Sequence, residues 1–362
     1  MDNHRAARSP RINEREGTIL SVAVGIGLTN ECNLACPHCY RPTLAQQRLS
    51  IAQVNTLLDS LEVGSVNLGV GENGLHPQYR EMLQIFRERG IKTAITSNGY
   101  SLAMLSDQEL SGFHSVELSF DYPTKKEMDA FRGPGSWEMA IESIERCHRL
   151  GIPTSVAAVM MNTNYDKMGE LVSFARELGC DLRVNVYQPV TGEEYTLSYE
   201  QFWEGFAGLF AAGPLVVCSE PLVNALVGLE TTRGNPCGRT SIRALPAGTI
   251  TPCPYWPAAA GRIHQLADDP TSVWGRREFE RARSVPEACR SCRFVASCAG
   301  GCASRRAIRN RLDAPDEYCP VVRGEQEVAR IQRMLQYTLS NPAEVPKAGN
   351  ACTTVISRNV VL

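Results

Sequence analysis

The sequence predicts an α/β protein whose first half is assembled from strand–helix units. From Thr18 onward, short runs rich in β-branched and other apolar residues alternate with longer segments of helical period, and this alternation is typical of parallel β/α units. The chain has 362 residues, of which 43% are hydrophobic. A chain of this length can bury a substantial core and is expected to form two or more domains.

The alternation predicts six strands and four helices. The apolar runs that predict strands are Ile19–Leu28, Ser65–Gly69, Lys92–Thr96, Ser115–Phe120, Thr154–Met160 and Asp181–Tyr187. The segments that predict helices between them are Ile51–Leu61, Gln78–Arg89, Trp137–Leu150 and Asp166–Leu178. In barrels built from such units the functional residues lie at the carboxyl ends of the strands, so the residues just after each run are the candidates.

Three cysteines follow the first predicted strand in a C-x3-C-x2-C spacing, at Cys32, Cys36 and Cys39. A four-iron cluster normally takes four thiolates, so a triplet with no fourth cysteine nearby would leave one iron open to a small molecule. A zinc site would need four protein ligands in paired spacings, and a disulfide framework is typical of small secreted chains. The triplet in this long chain therefore favours a cluster over zinc, disulfides or an accidental grouping.

Charge and composition predict a cytoplasmic enzyme. The net charge of −2 gives no reason to expect a nucleic-acid or membrane partner. Residues 1–17 form a polar extension without the apolar core of a secretory signal, and the longest apolar stretch, Gly205–Cys218, is too short and too broken to span a bilayer. Because no secretion signal is found, the 14 cysteines point to metal rather than disulfides.

The cysteine triplet resembles the signature of the radical S-adenosylmethionine (radical SAM) superfamily, and the six β/α units resemble its partial (β/α)6 TIM-like barrel. The resemblance implies that Cys32, Cys36 and Cys39 hold a [4Fe-4S] cluster whose open iron chelates S-adenosylmethionine (SAM). It also implies reductive cleavage of SAM to a 5′-deoxyadenosyl radical, which abstracts a hydrogen from the substrate. The electron would come from an external donor such as flavodoxin or ferredoxin.

Residues after later strands resemble the SAM-contacting elements of this family. The run Gly69–Pro77 resembles a variant of its Gly-Gly-Glu-Pro element, in which Val70 replaces the first glycine and Asn73 the proline. If this run stood alone, an ordinary glycine-rich turn before the next helix would account for it in about half of the cases. His38 takes the place of an aromatic residue that packs on adenine, or else it fills a solvated loop. The implied SAM-binding residues, whose polar groups can bond ligand atoms, are His38, Gly71, Glu72, Ser97, Asn98, Ser119 and Asp121.

Seven further cysteines resemble the SPASM domain, the auxiliary-cluster domain of one radical SAM branch. With Gly248 they read C-x10-G-x4-C, then C-x2-C-x5-C-x3-C, then a last cysteine. A zinc ribbon would use four of them and leave three, so two clusters account for them better. With the SAM-binding cluster, the resemblance thus implies three [4Fe-4S] clusters. The ligands that it implies are Cys289, Cys292, Cys298 and Cys319 for the second auxiliary cluster, and Cys237, Cys253 and Cys302 for the first.

The first auxiliary cluster is one ligand short in this assignment. Either Cys218 closes it across a loop, which we favour, or one iron stays open. The predicted organisation of the chain is an extension (1–17), a radical SAM barrel (18–215), a SPASM domain (216–330) and a C-terminal helix and tail (331–362).

The substrate class has two interpretations. Many SPASM enzymes crosslink or epimerise ribosomally made peptides and carry an N-terminal recognition domain, for which a barrel that starts near residue 19 leaves no room. We therefore expect a small-molecule substrate of sugar, aminocyclitol or nucleoside type that is dehydrogenated, epimerised or decarboxylated, for example a cytosylglucuronate-like uronate. Peptide maturation is the alternative, and a maturase of folded proteins or a plain electron carrier fits less well.

Polar residues near the predicted strand ends are candidates to contact the substrate. Arg183 can pair with a carboxylate or phosphate through its planar guanidinium, or it can face the polar interior of the barrel together with Asn185. The candidate substrate-contacting residues are His76, Tyr122, Arg183, Asn185, Tyr187 and Gln188.

Overall fold

The computed structural model describes residues 21–41, 43–229, 238–239, 241–269, 272–340 and 353–359. The predicted extension 1–17, the first two residues of the first predicted strand and the predicted ligand Cys237 lie outside these ranges.

A single open sheet runs through the described residues. Its strands are β1 (Val22–Ile26), β2 (Val63–Leu68), β3 (Lys92–Ser97), β4 (Ser115–Ser119), β5 (Thr154–Met160), β6 (Asp181–Val186), β7 (Leu215–Cys218), β8 (Ser241–Ala244), β9 (Thr249–Thr251), β10 (Gly261–Arg262) and β11 (Thr354–Ile356). They stand in the order β10-β9-β8-β1-β2-β3-β4-β5-β6-β11-β7.

The central six strands confirm the predicted partial barrel. Each of β1 to β6 pairs in parallel with the next strand along the chain, and β5 has the bounds that the sequence predicts. Side chains such as Val24, Ile95 and Val156 are fully buried in the main hydrophobic core. Because parallel strands end at one edge of the sheet, the polar residues that follow them meet there.

The barrel helices begin at residues that cap them. Ser50 and Gln53 form a capping box before the first helix, and Ser198 and Gln201 form another before the long helix that follows β6. Helices in this half are α1 (Ile51–Ser60), α2 (Tyr79–Glu88), α3 (Tyr100–Ala103), α4 (Asp107–Leu110), α5 (Lys125–Arg132), α6 (Ser136–Arg149), α7 (Met168–Glu177) and α8 (Tyr199–Ala212), with 3-10 turns at Asn73–Leu75 and Tyr165–Lys167.

The second half of the chain returns twice to the barrel sheet. Strand β8 pairs in parallel with β1, and β11 pairs antiparallel with both β6 and β7. The predicted C-terminal helix and tail therefore contain a strand that the sequence did not indicate. A three-residue run is too short to carry a strand pattern of its own, and its place is set by partners on both sides.

The cysteine-rich tail folds into short helices and contains a small second core. That core contains Cys253, Trp256, Ala282, Ala303 and Ala307. Helices here are α9 (Pro221–Val227), α10 (Arg277–Ala282), α11 (Val295–Cys298), α12 (Ala303–Ile308) and α13 (Glu325–Met334), with 3-10 turns at Ile263–Leu266, Ser272–Gly275, Glu287–Cys289 and Val321–Arg323. Within the described ranges, none of the helices has the length and apolar character needed to cross a membrane.

Candidate functional site

A cavity of about 260 Å³ lies at the carboxyl ends of the parallel strands. It brings together the cysteine triplet and most of the polar residues that the sequence predicts for the site. Those that line it are Cys32, Cys36, His38, Cys39, Gly71, Glu72, Ser97, Asn98, Ser119, Arg183, Asn185, Tyr187 and Gln188.

The loop that carries the cysteine triplet is held by its own backbone and by one arginine. The amide of Cys39 donates to the carbonyl of Cys36 at 3.1 Å, and Arg41 donates to the carbonyls of Asn30 and Leu34 at 3.0 and 2.9 Å. These bonds keep three thiols on one side of a short loop. Burial raises the pKa of the Cys32 thiol to about 11 and also raises that of Cys36, so these two metal-free thiols are protonated near neutral pH.

The glycine-rich run after β2 packs tightly against the cysteine loop. Gly71 has a φ of +64°, and a Cβ there would lie 2.5 Å from the carbonyl oxygen of Glu31. Only glycine allows this approach. Val70, at the position where the sequence departs from the family pattern, also has a positive φ of 66°, which is strained for a β-branched residue.

Glu72 joins the ends of the second and third strands. Its carboxylate accepts hydrogen bonds from Ser97 Oγ at 2.5 Å, from the Asn98 amide at 3.1 Å and from the Ser101 amide at 2.9 Å. Glu72 is 2% exposed, so these bonds satisfy a buried charge. The carboxylate fixes the Ser97–Asn98 turn at the rim of the cavity.

Asp121, predicted to bind SAM, does not line the cavity. Its fully buried carboxylate pairs with Arg132 at 2.7 Å and accepts from the Val159 amide at 2.9 Å, so its acceptor atoms are engaged by the protein. His38 lies beside it, with Nε2 at 3.4 Å from Oδ2, and stacks on Phe131 with ring centroids 5.0 Å apart. Asp121 therefore positions His38 and Arg132, which both line the cavity.

The structure also places His76 and Tyr122, two of the predicted substrate contacts, away from the cavity lining. His76 is buried, with Nε2 at 2.9 Å from the Leu49 carbonyl, and its Nδ1 accepts from the Gln78 amide. The hydroxyl of Tyr122 donates to Thr163 Oγ1 at 2.9 Å. Both predictions relied on proximity to a strand end in sequence, but the local turns direct these side chains into the protein.

Another part of the cavity lining combines the last barrel strand with the tail. Nε of Arg183 lies 3.4 Å from Glu117 Oε1 and donates to Ser155 Oγ at 3.3 Å. Arg243 lies over Gly25 of β1 and lines the same cavity. Arg243 is not predicted from the sequence because its place depends on the pairing of β8 with β1, which joins residues far apart in the chain.

Two tyrosines connect the cysteine triplet with the tail. Tyr40 follows Cys39, Tyr255 lies two residues after Cys253, and their rings meet edge to face with centroids 4.8 Å apart. Both rings line the cavity. Their positions in the sequence, next to predicted cluster ligands, are a signal that they lie near the site.

Four tail cysteines line a second, smaller cavity with apolar walls. They are the set predicted for the second auxiliary cluster, Cys289, Cys292, Cys298 and Cys319. Burial raises the pKa of the Cys298 thiol to about 12. No group of three potential ligands in the described part of the chain is arranged to hold a single metal ion, but a four-iron cluster holds its cysteines further apart than one ion does. The four thiols around one cavity fit such a cluster.

The cysteines predicted for the first auxiliary cluster are only partly described. Sγ of Cys253 and Sγ of Cys302 each lie 3.4 Å from the buried hydroxyl of Ser304, so these two thiols are neighbours. Cys218 lies in β7 with its Sγ 3.2 Å from Thr354 Oγ1. Its assignment as fourth ligand stays a prediction.

Comparison with known proteins agrees with the fold and the cavity. Residues 26–175 match the radical SAM superfamily, and they include the cysteine triplet and the ends of the first five strands. The chain carries a radical SAM domain. The three thiols on one loop, facing a cavity lined by Glu72, Ser97 and Asn98, fit a SAM-binding cluster.

A maturase and a peptide cyclase are among the relatives of this chain. It is 27% identical over 323 residues to mycofactocin maturase MftC of Mycolicibacterium smegmatis, covering 81% of each chain. It is 25% identical over 308 residues to PqqA peptide cyclase of Streptomyces rochei, covering 76% of this chain and 83% of that one. The fold resembles that of Streptococcus suis SuiB bound to S-adenosylmethionine, with a TM-score of 0.63 and 19% identity over 83% of this chain and 77% of SuiB.

Proposed function

We propose that this radical SAM enzyme matures a peptide and that its tail holds two auxiliary [4Fe-4S] clusters. The observation that carries the proposal is the 27% identity to a mycofactocin maturase along 81% of both chains. A PqqA peptide cyclase is similar over most of its length, and SuiB, which has the same fold, has also been solved with its precursor peptide SuiA. These relatives favour the peptide alternative over the small-molecule substrate expected from the sequence.

The site has residues for each part of this function. Cys32, Cys36 and Cys39 would hold the cluster that binds SAM, and that cluster supplies the electron that cleaves SAM to a 5′-deoxyadenosyl radical. Asn98, whose side-chain amide reaches the cysteine loop, and the turn fixed by Glu72 would orient the bound cofactor. A flavodoxin or ferredoxin as electron donor and a cytoplasmic location remain predictions.

The wall that would face the peptide carries both charged and aromatic groups. Arg183, Asn185 and Tyr187 come from β6 and the residue after it, and Arg243 and Tyr255 come from the tail. Guanidinium groups can hold a carboxylate or backbone carbonyls, and tyrosine rings can pack on apolar side chains. A substrate bound there would contact groups from both the barrel and the tail.

The tail would receive an electron from the substrate after hydrogen abstraction. Cys289, Cys292, Cys298 and Cys319 line one cavity that fits the second auxiliary cluster. Cys253 and Cys302 would belong to the first, close to Tyr255 on the wall of the main cavity. Cys237 and Cys218 would complete that set.

The test is an anaerobic assay with competing substrates. Reconstituted protein, SAM and dithionite are incubated either with short peptides encoded beside the gene or with a cytosylglucuronate-type uronate. We expect 5′-deoxyadenosine to form in step with a change in a peptide, detected by mass spectrometry as lost hydrogen or as deuterium gained from solvent. The variant with Cys32, Cys36 and Cys39 replaced by alanine is the control. Turnover of the uronate with every peptide unchanged would overturn the peptide assignment.

A further inference from the structure

A buried carboxylate, that of Asp316, lies shortly before Cys319 in the tail. Asp316 is 1% exposed. Burial of a carboxylate is costly unless cations and hydrogen-bond donors surround it. The groups that offset this cost show what the carboxylate holds in place.

Part of the cost is offset by Arg305, which lies in α12 and is also 1% exposed. Its Nε lies 2.9 Å from Oδ1 of Asp316, and its Nη2 lies 2.6 Å from Oδ2. Arg305 also donates to Glu220 at 2.9 Å, so two buried carboxylates share one guanidinium. Charge pairing of this kind would by itself account for the burial of Asp316.

Asp316 also makes four hydrogen bonds to the backbone of neighbouring turns. Its Oδ2 accepts from the amide of Cys302 at 2.8 Å, and its Oδ1 accepts from the amide of Tyr318 at 3.1 Å. Its own amide donates to the carbonyl of Gly300 at 3.1 Å, and its carbonyl accepts from the amide of Cys319 at 3.0 Å. None of these bonds is needed to balance a charge.

The two segments that Asp316 joins both line the four-cysteine cavity. Cys298 and Gly300 come from one segment, and Cys319 comes from the other. The segments are in close contact, because Gly301 has a φ of +90° and a Cβ there would lie 2.5 Å from Oδ2 of Asp316. Two of the four predicted ligands therefore lie on segments that Asp316 holds together.

The other two ligands are held near each other by a local turn, in which the amide of Cys292 donates to the carbonyl of Cys289 at 3.1 Å. Cys298 and Cys319 are far apart in the chain, so their proximity depends on tertiary contacts. A four-iron cluster normally takes four thiolates. Loss of the contact between these segments would therefore remove a thiolate from the set.

We propose that Asp316 is a positioning residue for the second auxiliary cluster, because it holds the turn that follows Cys298 against the turn that contains Cys319. The inference rests on the proposed function, since it requires a cluster in this cavity. Partners in the outer shell of a metal site orient its ligands. Asp316 does so through backbone amides and carbonyls, and the four thiols thereby meet around one cavity.

The experiment compares iron content and electron paramagnetic resonance spectra of full-length variants after anaerobic reconstitution. In Asp316→Asn an amide nitrogen replaces one acceptor oxygen, so the backbone amide of either Cys302 or Tyr318 faces a donor. Glu220→Gln is the matched control. It removes the other carboxylate charge beside Arg305, and glutamine keeps an acceptor oxygen there.

Two further variants make the result specific. Replacement of both Cys289 and Cys292 by alanine identifies the signal of the four-cysteine cluster, because that signal is missing from the variant. Arg305→Met combined with Asp316→Asn removes the guanidinium together with its counter-ion, so no buried cation is left unpaired. If Asp316 served only to balance Arg305, this double variant would recover the iron that Asp316→Asn loses.

We expect Asp316→Asn and the double variant to lose about four irons per chain and the four-cysteine signal, while Glu220→Gln keeps both. The signal that changes when SAM is added should persist in every variant, because its cluster belongs to the barrel. If Asp316→Asn does not fold, the double variant decides.

Recovery of the four-cysteine signal in the double variant, or an equal loss in Glu220→Gln, overturns the role of Asp316. Loss of the SAM-dependent signal in the double variant overturns a role confined to the tail. If the parent has the same spectrum as the variant without Cys289 and Cys292, the proposed cluster complement is overturned instead, and this inference with it.

Discussion

The side-chain amide of Asn98 lies 3.7 Å from Sγ of Cys32 and 2.9 Å from Oδ1 of Asn33. The turn after the third strand thus donates to the first thiol of the cysteine triplet. The same asparagine accepts from the amide of Tyr100 through its Oδ1, which fixes the orientation of the amide group. A donor that is held in place near a ligand sulfur can tune the metal centre it belongs to.

Asn98→Asp is expected to slow formation of 5′-deoxyadenosine by about 10–100-fold, the usual cost of losing a partner in the outer coordination shell. The variant keeps the acceptor for Tyr100 and places negative charge beside the thiolate. Iron analysis checks that the cluster is still loaded. If the variant forms 5′-deoxyadenosine as fast as the parent at equal iron content, the contact with Cys32 does not affect SAM cleavage.

Gly71→Ala is expected to abolish loading of the SAM-binding cluster. Its Cβ would lie 2.5 Å from the Glu31 carbonyl at a φ of +64°, so the cysteine loop must shift. Gly90→Ala is the control, because Gly90 has a φ of +67° but open space around it, and the substitution should cost only about 1–2 kcal/mol. Iron and sulfide analysis of both variants measures the difference. Normal iron content in Gly71→Ala would contradict the tight packing.

Asp121→Asn is expected to destabilise the protein by about 3–5 kcal/mol, because it leaves the buried Arg132 guanidinium without its counter-ion. Chemical denaturation measures the free energy of unfolding. Glu287→Gln is the control, since it removes one member of an ion pair with Arg290 in which the side chains are 80% and 68% exposed, and it should leave stability unchanged. Equal stability of both variants would show that the buried pair is not required.

As pH rises above about 9, the cluster-free protein should lose more stability than the loaded protein. Burial raises the pKa of Cys32 to about 11 and that of Cys298 to about 12, from an ordinary value of 9.0. A raised folded-state pKa means that stability is fully present below the unfolded value and is lost as the unfolded thiols ionise. Cluster-bound thiolates carry no proton to lose. Melting temperatures of both forms, at about pH 8 and about pH 10, test this difference; parallel pH dependence would contradict it.

The barrel was largely predictable because its signals are local. Runs such as Thr154–Met160 pair in order, and the β/α alternation fixes parallel neighbours without any long-range information. The cysteine spacing likewise predicted the triplet on one loop after β1. Most of the polar residues that the resemblance implied do line the cavity.

Side-chain direction at the strand ends was not predictable. His76 and Tyr122 follow β2 and β4 in the sequence, but local turns bury them against backbone and hydroxyl partners. Asp121, which was expected to bind SAM, pairs with Arg132 and does not line the cavity. A residue's neighbours in sequence do not reveal which of its hydrogen-bonding groups the fold has already used.

The sequence by itself determined the cysteine spacings, the strand order of the barrel and thereby the radical SAM chemistry, because each of these depends on residues close together in the chain. Only the tertiary structure decided which distant side chains line the same cavity. Arg243 reaches the cavity through the pairing of β8 with β1, and the ring of Tyr255 from the tail meets that of Tyr40 at the same cavity. Such contacts arise from long-range pairing and burial, for which the linear chain carries no local pattern.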